Sequence, residues 1–369
     1  MKLDKQKIAL IIPGGIGTGH DNMGIPVLER LVKLLSNDFQ VTVFSLFKIN
    51  DDYQPIGFEL ISIPDGNVLL KGLKLLRHFY RIRRQERFDV VHGFWALPSG
   101  FFAVIIGKIF GLRSIVSILG GDAVSLPAIR YGQLRKWIPR MFVLWTLRHA
   151  DQGTALTHYL RDQLNRFGLQ RAIRVIPWGV DIKQFSFYDK PLNSPVQFLH
   201  IANLIPVKDQ ATLLYAFKSI SDQIFSTLTI IGEGPEEHKL KSLARTLALE
   251  RKIKFLGLQS YEALPAFYHQ ADILLHTSLS EGQSEVVTEA MSCGTIVCGT
   301  RVGLMADLPH CCVTVGVGDF HSLASQVINL VKDQSRMKEI RRMAFEWASV
   351  HSMQWTVEKT KELYSKNGN

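Results

Sequence analysis

Residues 271–294 read ADILLHTSLSEGQSEVVTEAMSCG, and their pattern decides the fold. Ala271 to His276 is apolar almost throughout and fits a buried strand. Thr277 to Ser280 is polar enough to turn the chain, and Val286, Val287, Ala290 and Met291 then supply the apolar face of a helix. Strand, turn and helix in that order form one half of a parallel α/β repeat. The same stretch sets Glu281 in the loop and Glu289 on the helix, with seven residues between them. Backbone N–H groups of Gln283, Ser284, Glu285 and Val286 point out of such a helix start, where the macrodipole favours an anion such as a diphosphate. Glu281 can accept from sugar hydroxyls, and Glu289, about two turns into the helix, from the paired hydroxyls of a ribose. Each charge-assisted bond of that kind is worth about 1.5–3 kcal/mol. By spacing alone the plainer reading leads, with both glutamates solvent-facing and Glu285 and Glu289 on one helical face. The rest of the chain reverses that order.

The same rhythm runs outward in both directions. Residues 8–12, 41–46, 90–92, 114–119, 152–155 and 174–176 read as strands, with amphipathic stretches such as 27–35 between them. Ile176-Pro177-Trp178-Gly179-Val180-Asp181 breaks the series. A second series occupies 196–201, 228–231, 253–256, 273–276, 296–299 and 313–315. The fold class is therefore α/β, with two doubly wound, Rossmann-like domains meeting near residues 177–195, here bounded as 1–180 and 181–350. Ligands of such sheets sit outside the carboxyl ends of the strands, so two facing sheets are expected to place a site in the cleft between them.

The loop Pro13-Gly14-Gly15-Ile16-Gly17-Thr18-Gly19-His20 allows close backbone approach to a phosphate or sugar, with Gly15 the candidate, and reads equally as a plain strand-to-helix turn. It is not a dinucleotide fingerprint. The G-x-G-x-x-G spacing is absent, and the second strand ends at Ser45-Leu46-Phe47-Lys48 with no acidic residue for a ribose.

With 369 residues, 46% hydrophobic content, 28 glycines and 14 prolines, the chain is globular and long enough for two ordinary cores. Cys293, Cys298, Cys311 and Cys312 lie late in apolar surroundings without metal-ligand spacing to histidine, which fits a reduced cytoplasmic protein. The apolar run 8–12 is too short for a signal peptide and reads as a strand. Residues 90–107 carry no formal charge, yet Pro98, Ser99 and Gly100 interrupt them, so strand, loop and helix is the first reading and a transmembrane helix the second.

The net charge of +10 is concentrated in the first half. Lys71, Lys74, Arg77, Arg81, Arg83, Arg84 and Arg87 are interleaved with Leu73, Leu75, Leu76, Phe79, Tyr80 and Ile82. Arg130, Arg135, Lys136, Arg140 and Arg148 are mixed with Trp137, Phe142 and Trp145. Such helices either lie on an anionic membrane surface or form a solvated basic face over a core stripe. No nucleic-acid module accompanies the charge.

With these elements in order, the chain resembles the retaining glycosyltransferases of family 4, nucleotide-sugar enzymes of the two-domain GT-B fold, over nearly its whole length. The most specific likeness is Glu281-x7-Glu289 running into Ala290-Met291-Ser292-Cys293-Gly294. Around it stand Gly14-Gly15, the linker at Pro177, Ile205-Pro206-Val207-Lys208, Ile231-Gly232-Glu233-Gly234-Pro235 and Phe255-Leu256-Gly257. Trp355 and Tyr364 resemble the family's closing helix, which implies that residues 351–369 cross back to the first domain. The resemblance further implies that Glu289 grips the nucleotide ribose and that Glu281 contacts the transferred sugar. It places the backbone of Gln283 to Val286 on sugar and diphosphate, Lys208 on the diphosphate, and the backbone near Leu258 by the base.

Two departures stand out. Where the family pairs an arginine with the lysine, this chain has Asn203, which hydrogen-bonds to phosphate without adding charge. Where the family carries His-Gly-x-Asp, it reads Leu119-Gly120-Gly121-Asp122, so His92, His20 or Asp122 takes a share of the lost contact, or the sugar differs there. Asp122 is the acceptor-side candidate; its plainer reading is a helix cap. With no Asp-x-Asp motif, no metal and no cofactor is expected. The implied function is transfer of a hexose with retention to a saccharide or lipid-linked acceptor at the inner membrane surface, in polysaccharide or glycolipid synthesis. The alternative is a nucleotide-sugar-binding protein with little catalysis.

Overall fold

Short apolar runs bounded by turns form thirteen strands among the described residues of the computed structural model, which are 5–19, 24–83 and 87–365. His20, named above for a share of the lost sugar contact, and Arg84 of the basic run lie outside them.

The first sheet contains β1 (Lys7–Ile12), β2 (Gln40–Ser45), β3 (Glu59–Ser62), β4 (Val90–Phe94), β5 (Arg113–Ile118), β6 (Gln152–Ala155) and β7 (Arg174–Val175). The second contains β8 (Val196–Ile201), β9 (Ser226–Ile231), β10 (Ile253–Phe255), β11 (Ile273–His276), β12 (Ile296–Thr300) and β13 (Cys312–Val315). Their orders are β3-β2-β1-β4-β5-β6-β7 and β10-β9-β8-β11-β12-β13, and every pairing is parallel. Both are doubly wound sheets, with the strand order reversing beside β1 and beside β8. Helices cover the faces, so most strands are buried on both sides and read as continuous apolar runs instead of alternating ones. β3 is the strand absent from the sequence reading. It lies at a sheet edge with both ends exposed, and only Leu60 and Ile61 are apolar.

The chain divides into two compact units, one comprising the described residues up to Pro177 and from Trp355 onward, the other Trp178–Gln354. In the first, Ile11, Phe44, Phe79, Val91 and Ile106 share a buried cluster, with the rings of Phe44 and Phe79 stacked at 4.8 Å. In the second, Phe198, Phe217, Leu228 and Leu275 pack on one face of the sheet and Leu199, Leu274, Val287 and Met291 on the other. Each such side chain contributes about 1.5–3 kcal/mol by leaving water.

The last helix, Met353–Tyr364, ends in the first unit. The Tyr364 hydroxyl bonds His92 Nδ1 at 2.9 Å, Gln6 donates to the Tyr364 carbonyl at 3.0 Å, and Glu362 pairs with Arg174 at 3.2 Å. Residues 90–107 form β4, a tight turn and the start of the helix Phe101–Phe110. Among the described residues no helix is long and apolar enough to cross a membrane.

Candidate active site

The turn after β11 anchors the loop that carries Lys208. Thr277 donates its hydroxyl to the carbonyls of Lys208 (3.2 Å) and Asp209 (3.0 Å), and the Leu279 N–H donates to Val207 at 2.8 Å. Two residues further on, Glu281 Oε1 accepts from Lys208 Nζ at 2.6 Å, Ser278 Oγ at 2.6 Å and His276 Nε2 at 3.2 Å. Burial alone would raise the Glu281 carboxyl, but the Lys208 ammonium and His276 outweigh it and hold it well below the usual carboxylate range. Glu281 is therefore an ionised acceptor. Gly303, at φ +55°, allows the loop after β12 to lie against it, since a Cβ there would stand 2.7 Å from Glu281 Cβ.

The helix Glu285–Cys293 begins behind this cluster and ends at Gly294 in the left-handed conformation, the usual stop for a helix. Ser284 precedes it at φ 80°, ψ 95°, a sparsely populated conformation for a residue with a side chain. Of its first-turn N–H groups, that of Val287 donates to the Ser284 carbonyl at 3.1 Å, while those of Glu285 and Val286 precede the first helical carbonyls. The Gln283 side chain is spent inside the protein, accepting from the Trp178 N–H at 2.7 Å and donating to the Trp178 carbonyl and to Thr288. Gln283 thus has only its backbone to offer a ligand.

These elements enclose a cavity of ≈ 250 Å³ lined by Asn203, Lys208, Leu258, Glu281, Ser284, Glu285 and Val286, with Gly232 on its wall. It lies at the carboxyl ends of β8, β9 and β11, where the strand order reverses. Gly232, at φ +127°, brings its turn onto the Ala202 carbonyl, a place no Cβ could share. Leu258 is held by its N–H, which donates to Glu233 Oε1 at 3.2 Å. Desolvation raises the Glu285 carboxyl, and the negative charge of Glu281 adds to the shift. Glu289 follows one turn deeper on the same helix, buried, with its Oε2 accepting from the Tyr268 hydroxyl at 2.6 Å. Burial pushes its carboxyl up to about 7 against the opposing Tyr268 hydrogen bond.

Seven of the expected donor-side residues thus meet around one cavity, and Gln283 and Glu289 are not among its lining residues. Gly15 and Asp122 belong to the other unit. Gly15, at φ +103°, sits in a loop closed on itself, with its carbonyl accepting from the Ile25 N–H at 2.7 Å. Asp122 spends both carboxylate oxygens on backbone, accepting from Ala96 and Gly120, each at 2.9 Å, and so ties the loop after β4 to the loop after β5. Leu119 is buried beside it. His92 has both ring nitrogens engaged, by Tyr364 and by Ser117 Oγ at 2.7 Å, and burial lowers it to about 3, so it is a neutral structural histidine.

Three further residues shape the site. His276 and Ser278 bond Glu281, and a histidine closing an apolar strand just before a polar turn is the local sign of the first. Tyr268 has none, since it meets Glu289 across 21 residues. Among the described residues no three His, Cys, Asp or Glu side chains cluster closely enough to hold a metal ion.

The family of Glycosyl transferases group 1 matches residues 183–347, and that of Glycosyltransferase Family 4 matches residues 27–184. N-acetyl-alpha-D-glucosaminyl L-malate synthase of Bacillus anthracis is 25% identical over 361 residues, spanning 90% of this chain and 88% of its own. The UDP-Gal:alpha-D-GlcNAc-diphosphoundecaprenol alpha-1,3-galactosyltransferase of Escherichia coli is 25% identical over 303 residues, covering 73% and 76%. Sucrose-phosphate synthase from Thermosynechococcus elongatus superposes with a TM-score of 0.82 at 19% identity over 98% of both chains. Anabaena HepE in complex with UDP and glucose does so with 0.76 at 19% identity, over 97% of this chain and 99% of that one. At these identities the structural likeness speaks for the fold, which is GT-B.

Proposed function

We propose, from the premise that this chain is a family 4-like glycosyltransferase of GT-B type, that it moves a hexose from a nucleotide-diphosphate sugar to an acceptor hydroxyl with retention of configuration. The observation that carries the proposal is the convergence of Lys208, Glu281 and the start of the helix Glu285–Cys293 on one cavity at the point where the strand order reverses.

Within it, the ammonium of Lys208 and the backbone of Gln283 to Val286 receive the diphosphate and offset the charge that grows on it as the glycosidic bond breaks. Glu281, ionised and fixed, accepts from the sugar. Glu289 accepts from the ribose, with the base towards Leu258 and Asn203 by the diphosphate. Loss of the diphosphate and arrival of the acceptor occur on one face of the sugar, and the departing oxygen takes the acceptor proton. Gly15 approaches the donor by its backbone, and Asp122 shapes the acceptor-side loops. No metal step is required, because cation and helix start supply the positive field.

The acceptor is a saccharide or lipid-linked sugar, in polysaccharide or glycolipid synthesis. Peripheral contact with an anionic membrane from the cytoplasmic side fits the first unit, where Trp137, Ile138 and Met141 are exposed beside Arg135 and Lys136.

Calorimetric titration with UDP, GDP, ADP and their glucose conjugates, beside Lys208→Ala, tests the donor assignment. Binding of one base that the variant weakens supports it, and no binding of any nucleotide sinks it. Proton NMR of the first-formed product reads the anomeric configuration. Turnover unchanged in EDTA is expected, whereas loss restored only by magnesium or manganese removes the metal-free route.

A further inference from the structure

Three hydrogen bonds converge on one oxygen of Glu281, and among the described residues none reaches the other. Oε1 accepts from Lys208, Ser278 and His276, which leaves Oε2 as the oxygen with capacity for a hydroxyl. Under the proposed function, on which this inference rests, Lys208 also serves the diphosphate, and its flexible ammonium does not fix the carboxylate by itself.

His276 and Ser278 are better placed for that. Both are almost fully buried, and both belong to a stretch of backbone with little freedom. β12 passes so close to the His276 carbonyl that Gly299 has no room for a Cβ, and the Ser278 carbonyl accepts from the Thr300 hydroxyl at 2.6 Å. A carboxylate only accepts, so the proton of the His276 ring sits on Nε2, facing Glu281. Nδ1 is buried without a partner. In a strand whose other members are Ile273, Leu274 and Leu275, an aliphatic side chain would fill this place with no orphaned nitrogen. The polar contacts of the imidazole all lie on the Glu281 side, with Ser278 Oγ 3.4 Å from Nε2. The other titratable groups near this cluster are Lys208, Glu285 and His200 of β8, whose Nδ1 bonds the Leu275 carbonyl at 2.9 Å.

We propose that His276 and Ser278 are positioning residues for the donor sugar. They lock Glu281 through Oε1 so that Oε2 accepts from the sugar, and thereby select nucleotide sugars that present a free hydroxyl there over deoxy analogues. Neither touches the nucleotide.

The test compares wild type with His276→Leu, His276→Gln and Ser278→Ala, using whichever of UDP, GDP or ADP binds together with its glucose conjugate. For His276→Leu, kcat and the extra affinity conferred by the glucose moiety are expected to fall about tenfold to a hundredfold, with Kd for the bare nucleoside diphosphate held within about twofold. His276→Gln, whose amide N–H can stand where Nε2–H stands, is expected to recover most of the loss. Ser278→Ala, a mild change if His276→Leu misfolds, is expected to fall in the same direction. Equal weakening of both ligands, a glutamine variant no better than leucine, or an unchanged glucose increment overturns the assignment. Failure of the wild type to bind any nucleotide defeats the proposed function first, and this inference with it.

Discussion

Lys208 Nζ stands 2.6 Å from Glu281 Oε1, with side-chain exposures of 21% and 10%. The two residues lie on different loops of one unit, brought together because Thr277 and Leu279 bind the backbone of the Lys208 loop. A charge pair this poorly solvated is sensitive to removal of either partner, because the survivor keeps its desolvation cost. An ammonium has three donors, so Lys208 can hold Glu281 and still face an incoming anion.

Replacing Lys208 by methionine is therefore expected to act twice. Turnover should fall about 10²- to 10³-fold, the range for deleting one preorganised group that stabilises developing negative charge. Stability should fall by up to about 3 kcal/mol, the low end for a broken buried pair because Lys208 is partly solvated and Ser278 and His276 remain. The depressed carboxyl of Glu281 gives wild type a stability that is fully present above the ordinary carboxyl range and is lost progressively as pH falls from that range towards the lower value of the folded state. The variant should lose part of this, so the gap between their urea midpoints should narrow in acid. A gap of constant size at pH 7 and pH 3 contradicts the pairing.

Glu289 behaves with the opposite sign. Its carboxyl is raised to about 7 by burial, so the folded protein binds a proton that the unfolded chain has released. Stability therefore declines as pH rises from about 4.5 and the loss is complete above about 7, with a magnitude on the order of 3 kcal/mol. Glu289→Gln keeps an acceptor for Tyr268 and removes the penalty, so the variant should gain on wild type in thermal melts between pH 5 and pH 8. Nucleotide affinity should rise with pH through neutrality in wild type, as the ionised form accepts from the ribose, and be lower and flat in the variant. Parallel profiles refute the ribose role.

Much of this site was legible because its parts are periodic. β11 reads as Ile-Leu-Leu-His between polar residues, and the helix after it repeats apolar residues at Val286, Val287, Ala290 and Met291. β3 was not, because an edge strand with two apolar residues carries no pattern of its own. The pairings were hidden for a different reason. Lys208 meets Glu281 across 73 residues, Asp122 meets Ala96 across 26, and His92 meets Tyr364 across 272, distances over which local periodicity carries no information. A lone aspartate after a strand does not show in the sequence which amides, here those of Ala96 and Gly120, its carboxylate will serve.

Gly303 offers a test of packing without touching charge. Its φ of +55° and the nearness of Glu281 Cβ leave no room for a methyl group. Gly303→Ala is expected to cost about 1–3 kcal/mol through backbone strain and overpacking. It should also displace Glu281, lowering kcat more than nucleoside-diphosphate affinity, as single-turnover kinetics beside calorimetry would show. A destabilised variant with normal kcat separates the loop from the carboxylate.

The helix Trp137–His149 buries Val143, Leu144 and Leu147 while leaving Trp137, Ile138 and Met141 exposed at its start, next to Arg135 and Lys136. Exposed positions spaced one, three and four apart share one side of a helix turn, so apolar and cationic groups present themselves together. The helix Val68–Arg83 has a similar face in the same unit, with Val68, Leu69 and Leu73 exposed near the exposed Lys74. A merely solvated basic face needs no Trp137 in water. A face that settles on anionic lipid uses both features, charge for approach and apolar area for insertion. Flotation with phosphatidylglycerol vesicles should show binding at low salt that weakens at high salt and is absent with phosphatidylcholine alone. Trp137→Ser combined with Met141→Ser should weaken vesicle affinity about a hundredfold or more even at low salt, since each of the two apolar side chains withdrawn from lipid forfeits about 1.5–3 kcal/mol. Lys136→Glu should act chiefly at low salt, where the attraction is unscreened. Nucleotide binding unchanged in both variants would confine the effect to this surface, and vesicle binding indifferent to all three substitutions would assign the exposed apolar residues another partner.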